Sequence, residues 1–263
     1  MAELTRTVAI VGHGLIGGSI ALALEALSNP PTVITVDQDD DLGKTAGADI
    51  VILAAPISEN LRILSLLPRH PSAGTLITDT GSAKASIVAA AAGLPPHVRF
   101  IGGHPMAGAA TGGRSAARQD LFEGRRWIVT PDSQSRQGDL ARLCALLQSI
   151  GAMPHVMDAE QHDRLIAFIS HLPQLTVSAL MHVAGEAAGE SGLQLAGSGL
   201  HDSTRLAASP AALWREIVGS NRANVDAALD ELIATLQRIR NDEGTDRLEA
   251  IFTSAARWKE RLG

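Results

Sequence analysis

The stretch "RTVAIVGHGLIGGSIALALEAL", residues 6 to 27, decides the fold. It opens with a β-branched apolar run, breaks at glycines, and resumes as an alanine- and leucine-rich helix, so it reads strand, turn, helix. Gly12, Gly14 and Gly17 occupy the G-x-G-x-x-G spacing. The first permits the tight turn, the second lets the backbone approach a pyrophosphate, and the third lets helix and strand pack closely. The helix N-terminus then offers N–H groups to an anion. Asp37 lies 20 residues beyond Gly17, at the end of the next apolar run. A carboxylate there accepts hydrogen bonds from a ribose diol and repels a 2′-phosphate, so NAD is expected over NADP. The expected cofactor surface is Gly12, Gly14, Leu15, Ile16, Gly17 and Asp37, joined at two later strand ends by Ala55, Pro56, Thr80 and Gly81.

Working outward, further strands are expected at "TVITVD", "ADIVILAAP", "GTLITDT", "VRFIGG" and "RRWIVTP". Apolar strands alternating with helices imply a parallel sheet covered on both faces. From about Asp158 the pattern is helical to the end. The fold class expected is therefore α/β: a Rossmann-type, doubly wound, mostly parallel sheet over residues 1–155, then an all-helical domain over 156–263. Between Asp37 and Asp49 the chain is too short for the helix and strand usual in the first half of such a sheet, which opens the adenine side of the pocket.

Composition narrows the function. The 263 residues are 45% hydrophobic with a net charge of −6, and no cluster of Lys and Arg suggests nucleic acid or anionic lipid as a partner. The sole cysteine, Cys144, sits in an apolar helical pattern and reads as core packing. No secretory leader and no run of about 18 uninterrupted apolar residues is evident. A cytoplasmic enzyme acting on a small molecule, without a metal, is expected.

Polar side chains cluster where such sheets bind ligands, beyond the carboxyl ends of the strands. "DTGSAKAS" presents Ser82 and Lys84 at a glycine turn, with Ser82 placed to cap the helix that follows. "IGGHPMAGAATGG", residues 101 to 113, sets His104 among glycines that leave little else for an imidazole to do. "SHLPQ" puts His171 just before Pro173 and Gln174, and "HDSTRLAASPAALW" carries Asp202, Thr204, Arg205 and Trp214. His13, His70 and His162 read as surface or loop residues.

In their order, "VGHGLIGGSIALAL", "DTGSAK", "GGHPMAG", "HLPQ" and "DSTRLAASPAALW" resemble the prephenate/arogenate dehydrogenase family of tyrosine biosynthesis, over nearly the whole chain. The resemblance implies a homodimer through the helical domain and an active site in the cleft between domains. It implies that His104 contacts the substrate's ring hydroxyl, that Ser82 orients that hydroxyl or the imidazole, and that Arg205 binds a substrate carboxylate. His171 and Gln174 would line the cleft, and Trp214 would stand near its dimer-facing wall. The reaction implied is NAD-dependent oxidative decarboxylation of prephenate, with arogenate or amino-deoxyprephenate as alternative substrates. An imidazole with its ordinary pKa near 6.5 suits the base that this chemistry needs. Where many members carry polar residues after "GGHPMAG", this chain has Ala109 and Ala110.

Two other readings are open. A β-hydroxyacid dehydrogenase or imine reductase shares the plan but commonly uses an interdomain lysine, and this chain has none between Lys84 and Lys259. A non-catalytic NAD-sensing module would have no need for His104, Ser82 and Arg205 to converge.

Overall fold

A computed structural model describes residues 5–67, 72, 74–108, 112–242 and 246–262. Ala109, Ala110 and His70 lie outside the described residues. The glycine-loop stretch forms strand β1 (Thr7–Val11) and helix α1 (Leu15–Glu25), as its pattern requires. Strands β2 (Thr32–Val36), β3 (Ile50–Leu53), β4 (Leu76–Asp79) and β5 (Arg99–Phe100) join β1 in a parallel sheet of order β2-β1-β3-β4-β5. Helices α2 (Ile57–Leu66) and α3 (Ala85–Ala91) make the crossovers after β3 and β4. Between β2 and β3 there is only a short 3-10 turn, Leu42–Thr45, so the outer strand of a full Rossmann half is missing and β2 is an edge.

The sheet is apolar on both faces. Val8, Ile10, Ile50, Ile52 and Leu76 point into one buried cluster with α1 and α4 (Gln137–Ser149). Ala9, Val11, Val51, Leu53 and Ile77 alternate with them into a second cluster with α2 and α3. That alternation is the two-residue period of a strand covered on both sides.

A second, three-stranded sheet is built from β6 (Gly102–Pro105), β7 (Arg126–Thr130) and β8 (Met153–Val156). β6 runs antiparallel to β7 and β8 pairs parallel to β7, so the strand expected at "VRFIGG" divides between β5 of the first sheet and β6 of the second. The sequence pattern missed β8, because "MPHV" is short, carries a proline, and lies half exposed at the sheet edge.

Among the described residues, every element after β8 is helical: α5 (Ala159–Ile166), α6 (Leu172–Leu193), α7 (Ser198–Ser203), α8 (Ala211–Ser220), α9 (Arg222–Arg240) and α10 (Arg247–Arg261). α5 passes into α6 through a π turn, Ala167–His171. The widened turn absorbs Pro173, which lacks an N–H to donate, and it carries His171.

Candidate active site

The glycine loop fits a dinucleotide for reasons visible atom by atom. Gly12 has φ +99°, and a Cβ there would stand 2.6 Å from the Ala54 carbonyl oxygen. A Cβ on Gly17 would stand 1.9 Å from the Gly12 oxygen, so that position sets how closely helix and strand approach. A Cβ on Gly14, by contrast, would meet nothing within 4 Å, which leaves open space over the loop. No side chain caps the N-terminus of α1 and no acidic residue lies in its first turn, so its leading N–H groups face that space.

Two cavities share Ala54, Ala55 and Pro56 and form the two ends of one groove. The first, about 370 Å³, is lined by Gly12, Gly14, Asp37 and Arg62. Asp37 is exposed just beyond β2, and its Oδ1 accepts from the Gln38 amide at 2.9 Å. The second, about 490 Å³, carries Leu15, Ile16, Thr80, Gly81, Ser82 and His104 on one side and Pro210, Leu213, Glu216 and Ile217 of the helical region on the other. Glu216 also accepts a hydrogen bond from the Ser58 amide at the start of α2, tying α8 to α2 across this groove.

His104 sits on β6, paired with Ile128 of β7, and the glycines before it are required by contact. A Cβ on Gly103 would lie 2.5 Å from the Asp79 carbonyl oxygen, and one on Gly102 would lie 2.3 Å from Thr130 Oγ1. Beneath this strand, the side chains of Lys84 and Asp79 are fully buried against each other as an ion pair. Lys84 Nζ also donates to the Gly103 carbonyl at 2.8 Å, while the Asp79 carboxylate accepts from the amides of Gly81 at 2.7 Å and Gly103 at 3.1 Å. Lys84 is therefore not presented at the turn but holds the backbone on which His104 stands.

Ser82 is half-buried in the cleft wall and is not the cap of α3. Asp163 of α5 does that work: its carboxylate accepts from the Lys84 amide at 2.7 Å and the Ala85 amide at 2.9 Å. The cap comes from 78–79 residues away, beyond the reach of any local pattern.

His162 is fully buried, which corrects its reading as a surface residue. It stands between the His104 ring, with His104 Nδ1 to His162 Nε2 at 2.8 Å, and Asp163, with His162 Nδ1 to Oδ1 at 2.7 Å. The amide of Asn221, at the junction of α8 and α9, donates to the Asp163 carbonyl at 2.7 Å and faces His171 Nδ1 at 3.4 Å.

Burial, and then the nearby His162, Lys84 and His171, hold the His104 imidazole well below its ordinary pKa. The expectation of an ionisation near 6.5 is corrected accordingly. His171, fully buried, is pushed down to about 4, chiefly by burial with His162 adding and Asp163 opposing. Both rings are neutral at pH 7.

The remaining residues singled out in the sequence lie behind or beside the cleft. The Trp214 ring meets that of His171 edge-on, centroids 5.9 Å apart. Gln174 is buried, and its side chain is engaged with protein: Nε2 donates to the Leu206 carbonyl at 2.8 Å, and Oε1 accepts from Ser209 Oγ at 3.1 Å. It fixes the turn Arg205–Ala208 that leads into cleft-lining Pro210. Arg205 opens this turn, is exposed, and forms no salt bridge among the described residues. It is not part of the cleft wall itself.

Comparison with known proteins agrees with this architecture. Residues 24–156 match the family described as "Prephenate dehydrogenase, nucleotide-binding domain", and residues 158–253 match "Prephenate dehydrogenase, dimerization domain". The chain is 31% identical over 287 aligned positions to a prephenate dehydrogenase of Bacillus subtilis (strain 168), covering 100% of this chain and 77% of that protein. Its fold superposes on the arogenate dehydrogenase of Synechocystis with TM-score 0.81 at 27% identity, over 97% of this chain and 99% of the other. It also superposes on the prephenate dehydrogenase of A. aeolicus in complex with hydroxyphenyl propionate and NAD+, with TM-score 0.88 at 24% identity, over 99% of both. A glycine loop open at its second glycine, a cleft histidine on a glycine strand, a helical second half, and two family matches spanning both halves lead to one assignment: the chain belongs to the prephenate dehydrogenase family.

Proposed function

We propose that the chain is an NAD-dependent dehydrogenase that oxidatively decarboxylates prephenate to 4-hydroxyphenylpyruvate. The observation that carries this reading is the meeting of Ser82 and His104 with α8 in a cleft continuous with the glycine-loop groove. Residues 1–155 would bind the dinucleotide, and residues 156–263 would bind substrate and dimerise.

NAD, when bound, supplies the hydride acceptor; Gly12, Gly14, Leu15, Ile16, Gly17 and Asp37 would hold one end of it, and Ala55, Pro56, Thr80 and Gly81 would flank the other. His104 has its Nδ1 engaged by His162, so Nε2 is the nitrogen left for substrate. It takes the proton of the ring hydroxyl as the carbinol carbon loses hydride. Carbon dioxide leaves from the opposite ring carbon, the ring becomes aromatic, and His104 returns the proton to the phenolate oxygen. A neutral imidazole is the form able to begin that cycle, and the buried setting keeps it neutral. Ser82 would orient the hydroxyl, and Arg205, exposed beside the cleft, would clamp a carboxylate with its planar fork. His171 and Trp214 close the back of the cleft.

The helical half supports pairing of two copies. The helical run Ala159–Leu193, which passes through the π turn and a kink at Gly189, is long and apolar enough to cross a membrane, and 22% of its most apolar window is buried. Phe168, Ile169, Leu180 and Val183 on it, with Ile233 and Leu236 on α9 and Phe252 and Trp258 on α10, are exposed large apolar side chains. Such surface on a matched dimerization domain suits a second copy, in a cytoplasmic homodimer.

The test is NADH formation by the purified protein with prephenate, arogenate and amino-deoxyprephenate in parallel. Turnover of prephenate is expected. Preferential turnover of arogenate moves the substrate assignment, and turnover of none of the three overturns the reading.

A further inference from the structure

We propose that His162 and Asp163 are positioning residues that fix the proton of His104 on Nδ1 and leave its Nε2 as a lone pair facing the cleft. The hydrogen-bond directions follow from groups whose roles are not adjustable. The Lys84 amide donates to Asp163 Oδ1 and the Ala85 amide to Oδ2, and backbone amides can only donate, so both carboxylate oxygens serve as acceptors. The nitrogen of His162 that meets it at 2.7 Å, Nδ1, must therefore carry hydrogen. In a neutral ring the other nitrogen is then an acceptor, and His162 Nε2 lies 2.8 Å from His104 Nδ1. With a single hydrogen on the His162 ring, His104 donates from Nδ1, and a neutral His104 then has its basic lone pair on Nε2.

The arrangement is a series of three groups, His104, His162 and Asp163, in which each accepts from the one before. His162 and Asp163 are buried to 0% and 2% exposure, so no solvent competes for these bonds. Asn221 secures the Asp163 backbone, and the His162 ring meets that of His104 edge-on at 71° with centroids 5.1 Å apart. Without the relay, an imidazole bearing hydrogen on Nε2 would present a donor to the substrate hydroxyl and could not take its proton. When His104 does take the proton, the imidazolium points along the same bonds toward the Asp163 carboxylate, while Lys84 opposes it from beneath.

The kinetic part of this inference rests on the dehydrogenase reading; the tautomer does not. In the protein without substrate at pH 8, two-bond ¹⁵N–¹H correlation spectra of ¹⁵N-histidine should show His104 protonated on Nδ1. His162→Phe should shift it toward the Nε2–H form and lower kcat by about 10- to 100-fold with KM nearly unchanged. His162→Gln, whose amide can donate to Asp163 and whose carbonyl can accept from His104, should recover the tautomer and most of the rate. An Nε2–H tautomer in the parent protein, or His162→Phe with tautomer and kcat unchanged, overturns the proposal. Should His162→Phe fail to fold, the parent spectrum alone decides. A fully active His104→Asn would instead overturn the dehydrogenase mechanism while leaving the spectra of the parent and of the His162 variants unaffected.

Discussion

Lys84→Met removes the ammonium from beneath the site and replaces its stem with an apolar chain of similar volume, so little cavity is created. What remains is the Asp79 carboxylate, fully buried and without its cation. Two amides still donate to it, from Gly81 and Gly103, but the Gly103 carbonyl loses its donor. Breaking one side of a buried ion pair costs about 3–5 kcal/mol, because an uncompensated charge stays inside. At roughly 2–4 °C per kcal/mol for a chain approaching this size, the melting temperature should fall by about 6–20 °C in differential scanning calorimetry. The double variant Lys84→Met/Asp79→Asn should melt higher than Lys84→Met alone, since the amide carries no charge and its oxygen can still serve one of the two N–H donors. A melting temperature within about 2 °C of the parent for Lys84→Met, or a double variant less stable than the single one, would refute the argument that charge burial dominates here.

Cofactor choice should depend on Asp37: NAD should be used much better than NADP, Asp37→Ser should narrow the gap, and equal use of both by the parent enzyme would end the argument. Arg205→Ala should raise KM for the substrate about 10- to 150-fold, the range of a charge-assisted contact of roughly 1.5–3 kcal/mol. Because Arg205 has no salt bridge among the described residues, NAD affinity and melting temperature should barely move; an unchanged KM removes it from the site. His171 ionises near 4 in the folded protein and near 6.5 unfolded. Its contribution to stability is therefore complete above pH 6.5 and is lost as pH falls toward 4, on the order of 3 kcal/mol in all. His171→Phe should flatten urea-unfolding stability across that window, and an unaltered pH slope counts against the assignment.

The glycine loop was legible because its spacing encodes close backbone approaches: Gly12 packs against Ala54, Gly17 packs against Gly12, and the space over Gly14 is open. His104 was legible because glycines packed against Asp79 and Thr130 leave no side chain but the imidazole. Its partners were not. His162 and Asp163 lie in "AEQHDRLIAF", which looks solvated, yet Ile166 and Ala167, each four residues on, are buried on the same helical face. A polar pair in the apolar phase of a helix was the available signal. The cap on α3 and the antiparallel turn of β6 depend on segments far away in the chain, and no local period records them. Gln174 was expected in the cleft on the family resemblance alone; the turn that engages its amide is 32–35 residues downstream, where no local pattern points to it.

The absence of the outer strand has a consequence for how this molecule behaves among its own copies. β2 exposes one row of backbone donors and acceptors along its free side, the kind of template that invites another chain to add on. Only five residues form it. Pro30 and Pro31, which carry no N–H, precede it, and Asp37, Asp39, Asp40 and Asp41 follow. Two such edges meeting antiparallel would find few open rungs and would set each acidic end against the other's prolines. Meeting parallel, they would stack carboxylate on carboxylate. A truncated sheet is thereby kept from growing into a longer one, and the half of the fold that lost a layer stays inert toward its neighbours.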